Sequence, residues 1–282
     1  MKLVTFVHKG SERVGILENE KVFDTGFSSM NDLIESGDKP VCGREYDIEE
    51  VEILAPIPKP RQDIICLGIN YSAHAEESER FKKEAFKVER RYTVYFSKRV
   101  NNAVPNKGLI FAHDDMEEKL DYEVELAVVI GKEAKNVKKE DAFDYIFGYT
   151  IINDVSARDL QTNHKQWYLG KSLDSFTPMG PVIVTEDEFE RPPALKIKSS
   201  VNGEVRQNST TDMLIKGIDE IIEELSQGIT LLPGTIIATG TPAGVGMGMT
   251  PPTFLIKGDV VKCEIEKIGN YEIGRASCRE RV

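Results

Sequence analysis

Leu120-Asp-Tyr-Glu-Val-Glu-Leu-Ala-Val-Val-Ile130 alternates in the manner of a β-strand, and its reading orders the rest of the chain. Side chains of a strand point to opposite faces in turn. Tyr122, Val124, Leu126, Val128 and Ile130 therefore form one wholly apolar face. Asp121, Glu123 and Glu125 share the other, which turns apolar again at Ala127 and Val129. Carboxylates two residues apart on a strand lie only about 7 Å from each other. A Glu-x-Glu pattern is most often a solvated face, because buried acids are rare. Two features here favour a shared cation instead. The acidic face runs on into Ala127 and Val129, as a strand entering a covered interior does. A further acid, Asp154, follows the run Tyr149-Thr-Ile-Ile-Asn153, where another buried strand should end. Glu123, Glu125 and Asp154 would complete a facial set of oxygen ligands, the kind of site a hard divalent metal occupies.

A chain of 282 residues can bury a large core and usually holds one or two domains. At 40% hydrophobic and 29% charged residues it has the composition of a soluble globular protein. A net charge of −11 and the lack of a basic stripe argue against nucleic acid or an anionic membrane as partner. The start, Met1 to His8, is too short and too alternating for a signal peptide, and no apolar run approaches membrane-spanning length. Cys42, Cys66, Cys263 and Cys278 are scattered, with no Cys-x-x-Cys pair, and read as reduced thiols of a cytoplasmic protein.

Short strands are expected at Leu3–Val7, Arg13–Leu17 and Lys21–Phe23, then a small helix at Ser29–Glu35. The proline-rich stretch Ala55-Pro-Ile-Pro-Lys-Pro60 is extended by its restricted φ values and marks a domain boundary. Residues 1–58 then form a small N-terminal domain and 59–271 the main one. Beyond the boundary, Asp63–Leu67 reads as a buried strand and Ser72–Arg91 as a charged helix. Strands are expected at 93–97, 120–130, 148–153, 180–185, 196–202, 235–239 and 259–266. An amphipathic helix at Lys216–Gln227 carries Ile218, Ile221, Ile222 and Leu225 on one face. The last eleven residues, Glu272–Val282, can be written in codons that spell a common short-read sequencing adapter. They are expected to be a non-native tail at 272–282 that lies outside the fold.

Of four histidines, only His74 has a neighbour that suggests chemistry: Glu77, three residues on, would share its helix face. Such pairs are more often surface contacts, but a carboxylate so placed also fixes an imidazole as a general base. With these residues in view, the chain resembles the fumarylacetoacetate hydrolase family over roughly residues 60 to 270. The marks are Gly68-x-Asn-Tyr-x-x-His74-x-x-Glu77, Asp121-Tyr-Glu-Val-Glu-Leu-Ala-Val-Val-Ile-Gly131 and Asn153-Asp-Val-Ser-Ala-Arg-Asp159. Gln166-Trp-x-x-Gly-Lys-Ser172, Val201-Asn-Gly-Glu204 and Thr239-Gly-Thr-Pro-x-Gly-Val-Gly246 follow in the family's order.

The resemblance implies a β-rich α+β fold, a mixed β-sandwich or β-roll with a small N-terminal domain, usually as a homodimer. It places Glu123, Glu125 and Asp154 on ligands for Mg²⁺ or Mn²⁺, and His74 and Glu77 on a general-base dyad in a lid segment. Lys171 falls on an oxyanion-supporting lysine, and Thr241 on a residue near the substrate carboxylate. Gln161 is a further candidate contact with substrate. The chain departs from the family pattern in two places. Gly68 to Ser72 supplies no carboxylate, as in the smaller branch with three ligands. Arg99 follows Tyr95-Phe-Ser-Lys98 where many members have proline, so it is a candidate substrate-pocket residue. The implied activity is metal-dependent cleavage of a carbon–carbon bond in a small 2-oxo acid of the acylpyruvate or fumarylpyruvate class. Oxaloacetate tautomerisation or decarboxylation and 2-hydroxyhepta-2,4-diene-1,7-dioate isomerisation use the same enolate and remain alternatives. A non-catalytic 2-oxo-acid binding protein on the same fold is the alternative from another class.

Overall fold

The computed structural model of the chain describes residues 1–81, 92–113 and 115–276. Every residue of the strand Val124–Ile130 is buried, because this strand lies deep within an eleven-stranded sheet covered on both faces. Ile146–Asn153 and Ile236–Ala238 flank it, both antiparallel to it. On one side the sheet continues through Met179–Thr185 to the N-terminal strands Lys2–His8, Ser11–Glu18, Lys21–Asp24 and Glu45–Asp47. On the other it continues through Ile64–Gly68, parallel to Ile236–Ala238, and ends at Val94–Lys98. The N-terminal segment thus adds its strands to the main sheet, through pairing of Lys2 with Val184 and Leu3 with Ile183.

The alternation read in 120–130 sorts its side chains into two cores. Val124, Leu126, Val128 and Ile130 join a cluster with Ile197, Val261, Cys263 and Ile273 of a second, five-stranded sheet. That sheet runs in the order Glu204–Thr210, Lys196–Val201, Val260–Ile265, Gly269–Ala276, Leu109–Phe111. The helix Ile218–Gly228 puts Ile218, Ile221, Ile222 and Leu225 into the same cluster. Ala127 and Val129 belong to the opposite cluster, together with Met30, Leu33 and Ile34 of the helix Met30–Ser36. The fold is therefore mixed α+β and strand-rich, with large packed sheets, as expected. No helix among the described residues is long and apolar enough to cross a membrane.

Three differences from the sequence reading have physical causes. The run 120–130 is two strands, Leu120–Asp121 and Val124–Ile130. Between them, side chains replace the ladder: the Tyr122 N–H donates to the Asp121 carboxylate and the Glu123 N–H to Asn153 Oδ1, both at 2.9 Å. The polar strand Glu204–Thr210 escaped the pattern because it is a mostly exposed edge. Its signal was the turn Asn202-Gly203, with φ of 50° and 83°, as a two-residue hairpin requires. Third, Glu272–Ala276, expected to lie outside the fold, are part of it. Glu272–Ala276 continue the strand Gly269–Ala276, pairing with Val260–Lys262 and Leu109–Phe111, and Ile273 and Ala276 are buried. Residues 277–282 lie outside the described residues, as do 82–91 of the helix expected over 72–91, which is described as Ser72–Phe81.

An Ile273→Asp substitution places an unpaired carboxylate in the core between the sheets. It should lower the thermal midpoint by several degrees and the urea midpoint with it, followed by circular dichroism. An unchanged midpoint would show that this strand does not pack.

Candidate active site

The register that makes the site is set by one strand pair. Val124 pairs with Asn153 and Glu125 with Ile152, so residue 123 stands opposite residue 154, and the Asp154 N–H donates to the Glu123 carbonyl at 2.8 Å. The Glu123 and Glu125 side chains share one strand face, and Asp154 joins them from the end of its own strand. One carboxylate oxygen from each lies within 4.8 Å of the others, and all three residues are buried.

Three cations and a backbone donor contain this charge. Lys171, at the end of the short helix Tyr168–Lys171, donates from Nζ to Glu123 Oε2 and to Asp154 Oδ2, each at 2.6 Å. Arg158 Nε donates to Asp121 Oδ2 at 2.9 Å, its Nη2 lies 2.6 Å from Glu123 Oε1, and its Nη1 donates to Gln161 Oε1 at 3.0 Å. Lys98, fully buried, lies 2.7 Å from Asp154 Oδ1 and donates to the carbonyls of Val155 and Lys171. Glu125 receives the Gly240 N–H on Oε2 at 2.9 Å.

The unequal sharing of cations splits the two glutamates. Burial opposes charge on Glu123, yet Lys171 and Arg158 beside it hold its carboxyl well below the usual range. Burial, with Asp154 and Glu123 as like-charged neighbours, pushes the Glu125 carboxyl well above it. Lys171 loses solvation by burial, and its acid neighbours still raise it above an ordinary lysine.

These residues fit a divalent cation. The donor set is all oxygen, and Asp154 Oδ1 is buried without a well-directed hydrogen bond despite its nearness to Lys98. Among the described residues no Cys or His joins the cluster, so its donors are carboxylate oxygens alone.

The same cavity, of about 310 Å³, is lined by Glu123, Glu125, Lys171 and Arg158 and also by His74 and Glu77. His74 lies in the first turn of the helix Ser72–Phe81, with Nδ1 2.9 Å from Glu77 Oε2. Glu77 also accepts the Gly244 N–H on Oε1 at 3.1 Å. A neutral imidazole donating from Nδ1 to this carboxylate keeps Nε2 unprotonated, the form a general base needs. Gly248 presses on the pair so closely that a β-carbon there would sit 1.9 Å from Glu77 Oε1.

Most residues singled out in the sequence meet here: Glu123, Glu125, Asp154, His74, Glu77 and Lys171 in the arrangement just described. Gln161 lines the cavity, and its contact with Arg158 leaves its amide NH₂ turned away from that bond. Thr241 also lines it, but its hydroxyl donates to the Val124 carbonyl at 2.9 Å and accepts from Gln207 at 2.7 Å. That hydroxyl proton is already used. Arg99 is not among the residues that line this cavity. Its side chain is more than half exposed, 3.8 Å from Asp63, beside a separate depression that includes Ser172 and Phe176. The sequence reading missed Arg158 and Lys98 as site residues. Both stood inside quoted motifs, but isolated basic residues in a sequence read as surface charges.

Residues 63–273 match the family described as fumarylacetoacetate (FAA) hydrolase C-terminal. The chain is 48% identical over 224 residues to the oxaloacetate tautomerase YisK of Bacillus subtilis, covering 79% of this chain and 73% of that one. Among solved structures it resembles a fumarylacetoacetate hydrolase from the psychrophile Exiguobacterium antarcticum, with a TM-score of 0.88 and 38% identity over 98% of this chain and 99% of the other. It also resembles a 2-hydroxyhepta-2,4-diene-1,7-dioate isomerase from Mycobacterium marinum, with a TM-score of 0.81 and 31% identity over 99% of each chain. The chain belongs to the fumarylacetoacetate hydrolase family.

Arg158 stabilises two buried acids at once, so Arg158→Met leaves Asp121 and Glu123 facing each other with one cation fewer. Breaking such a buried pair should cost about 3–5 kcal/mol, read as a lowered midpoint in urea denaturation. A loss below about 1 kcal/mol, the range of exposed pairs, would show that the guanidinium does not hold the cluster.

Proposed function

We propose that this protein is a divalent-metal-dependent enzyme acting on small 2-oxo acids through an enolate, with keto–enol tautomerisation of oxaloacetate as its best-fitting reaction. The observation that carries this reading is one cavity lined both by Glu123 and Glu125, two members of the buried carboxylate triad, and by the hydrogen-bonded His74–Glu77 pair. Two similar proteins support the choice within the family. One is named as an oxaloacetate tautomerase, and the other acts on a 2-hydroxy-diene, which is itself an enol.

Glu123, Glu125 and Asp154 would hold Mg²⁺ or Mn²⁺, which when bound supplies a Lewis acid for the carboxylate and keto oxygens of a 2-oxo acid. His74 then takes a proton from C3 at Nε2; the electron pair of that C–H bond becomes the C2=C3 double bond, and the π pair of the C2 carbonyl moves to its oxygen. Glu77 stabilises the imidazolium that forms, and the Gly244 N–H keeps that carboxylate in place. The Lys171 ammonium is the donor for the negative charge that grows on the C2 oxygen. Return of the proton from His74 to that oxygen completes the enol, and the reverse order restores the ketone.

Cleavage of an acylpyruvate is the second reading. It would use His74 to take a proton from water, and it is favoured by the apolar part of the cavity wall. Leu67, Phe96, Trp167, Val245 and Met247 offer a surface suited to an acyl group.

The test follows the ultraviolet absorbance of enol oxaloacetate, with pyruvate release and acylpyruvate cleavage assayed in parallel. Tautomerisation should need Mg²⁺ or Mn²⁺ and stop on chelation, and His74→Ala should slow it by about 100-fold, the usual effect of a lost general base. Acylpyruvate cleavage outpacing tautomerisation would select the second reading, and metal and ligand binding with no turnover would leave only a binding protein. Metal titration calorimetry gives a separate check. Glu123→Ala, Glu125→Ala and Asp154→Ala should each weaken Mn²⁺ binding, and wild-type affinity in any of them would remove that residue from the ligand set.

Gly248→Ala should lower kcat with little change in melting temperature, because its methyl group displaces the Glu77 carboxylate. Gly228→Ala, with no atom within 4 Å of the added carbon, is the control. Equal kcat in the two variants would show that the contact at Gly248 does not position the base.

A further inference from the structure

The cations that line the cavity differ in what they already hold. Arg158 is committed to Asp121, Glu123 and Gln161, and Lys171 to Glu123 and Asp154. Lys165 lines the same cavity, is exposed, and among the described residues makes no ion pair or side-chain hydrogen bond. From these contacts, and resting on the 2-oxo-acid reading above, we infer that Lys165 is the specificity-determining residue that selects 2-oxo acids carrying a second, distal carboxylate.

Local backbone geometry supports this placement. Lys165 follows the helix Arg158–Asn163 with a φ of 60°, in the left-handed region that a lysine seldom adopts. The tight turn is closed by hydrogen bonds from the Lys165 N–H to the Thr162 carbonyl and from the Gln166 N–H to the His164 carbonyl. It brings Gln161, Thr162, Lys165 and Trp167 to one cavity. A left-handed non-glycine residue is worth tracing to a function when it borders a site.

Charge decides where a distal carboxylate can go. The inner end of the cavity is occupied by Glu123 and Glu125, and Glu77 adds a third acid to its lining. The apolar side chains Leu67, Phe96, Val245 and Met247 offer a carboxylate no hydrogen bond. A 2-oxo acid with its head at the triad therefore finds, among the described residues of the lining, one uncommitted cation for its other end, Lys165. The long, unbranched lysine side chain can follow substrates of different length, so it selects for the charge and tolerates variation in the spacing.

The test compares 2-oxo dicarboxylates with 2-oxo monocarboxylates on the full chain and on Lys165→Met and Lys165→Arg. Binding to the Mn²⁺-loaded protein is measured by calorimetry with oxaloacetate and pyruvate, and turnover with oxaloacetate and acetylpyruvate. Lys165→Met should weaken oxaloacetate binding about 10-fold, the lower end for a charge-assisted hydrogen bond discounted for exposure. Pyruvate binding should change less than about 2-fold, and the kinetic loss should fall on KM more than on kcat. Lys165→Arg should restore the preference, and added salt should shrink it in the wild type. Equal loss for both ligands, or no loss for either, would overturn the inference. Dicarboxylate preference without turnover would sink the proposed activity and leave Lys165 in its role, whereas a wild-type protein that binds no 2-oxo acid would sink both.

Discussion

Three carboxylates pressed together at the end of a buried strand pair repel one another, and much of the surrounding structure serves to contain that repulsion. The pairing of Val124 with Asn153 forces the contact, since it sets Glu123 opposite Asp154. Unpaired ionised groups at such depth would cost several kcal/mol each. Lys171 and Lys98 take the two oxygens of Asp154 from different sides, and Lys98 also donates to the Lys171 carbonyl at the end of the short helix Tyr168–Lys171. Glu125 has only a backbone N–H, which is why its carboxyl is the one driven upward while Glu123 stays ionised. A divalent ion shared by the three acids would remove that asymmetry, so the tendency to bind a cation is already present in the charge balance of the protein.

One loop ties this cluster to the dyad. Gly240, Gly244, Gly246 and Met247 donate their N–H groups to Glu125, Glu77, and both oxygens of Asp121. Glycines are needed where the loop passes other backbone: at Gly244 a β-carbon would lie 2.0 Å from the Arg206 carbonyl oxygen. A glycine-rich loop suggests a cradle for a phosphate, but here its donors are filled by the protein's own acids. Asp121, on the acidic face of the founding strand run, thereby becomes a structural anchor, because four donors claim its carboxylate: three N–H groups and Arg158.

What could be read from the chain followed from periodicity. The period-two alternation at 124–130 and the position of Asp154 just beyond a buried strand both survived folding as drawn, because register is strict where both faces are covered. The spacing of His74 and Glu77 on one helix did the same for the dyad. Lys98 and Arg158 were not legible in this way. Their roles depend on long-range packing, and a buried lysine has no local pattern that separates it from a surface one. Arg99, the basic residue next to a family motif, follows the strand Val94–Lys98 and lines a separate depression, its backbone N–H bound to Ser172. The polar edge strand Glu204–Thr210 was hard to read for a simple reason. Edge pairing is made by backbone groups, which any side chain can accompany.

In the proposed reading the cluster stabilises an enolate and the dyad accepts a proton, either from carbon or from water. The choice between tautomerisation and hydrolysis therefore rests on the outer half of the cavity. Trp167 fills the space against Gly68, where a β-carbon would fall 2.3 Å from the indole ring, and its edge packs on Phe96. This wall closes one side of the cavity and presents an apolar surface to whatever part of a substrate extends beyond the acidic cluster. The similar proteins named for tautomerase, isomerase and hydrolase activities show that one fold carries several activities, so it is the site, more than the fold, that decides the reaction.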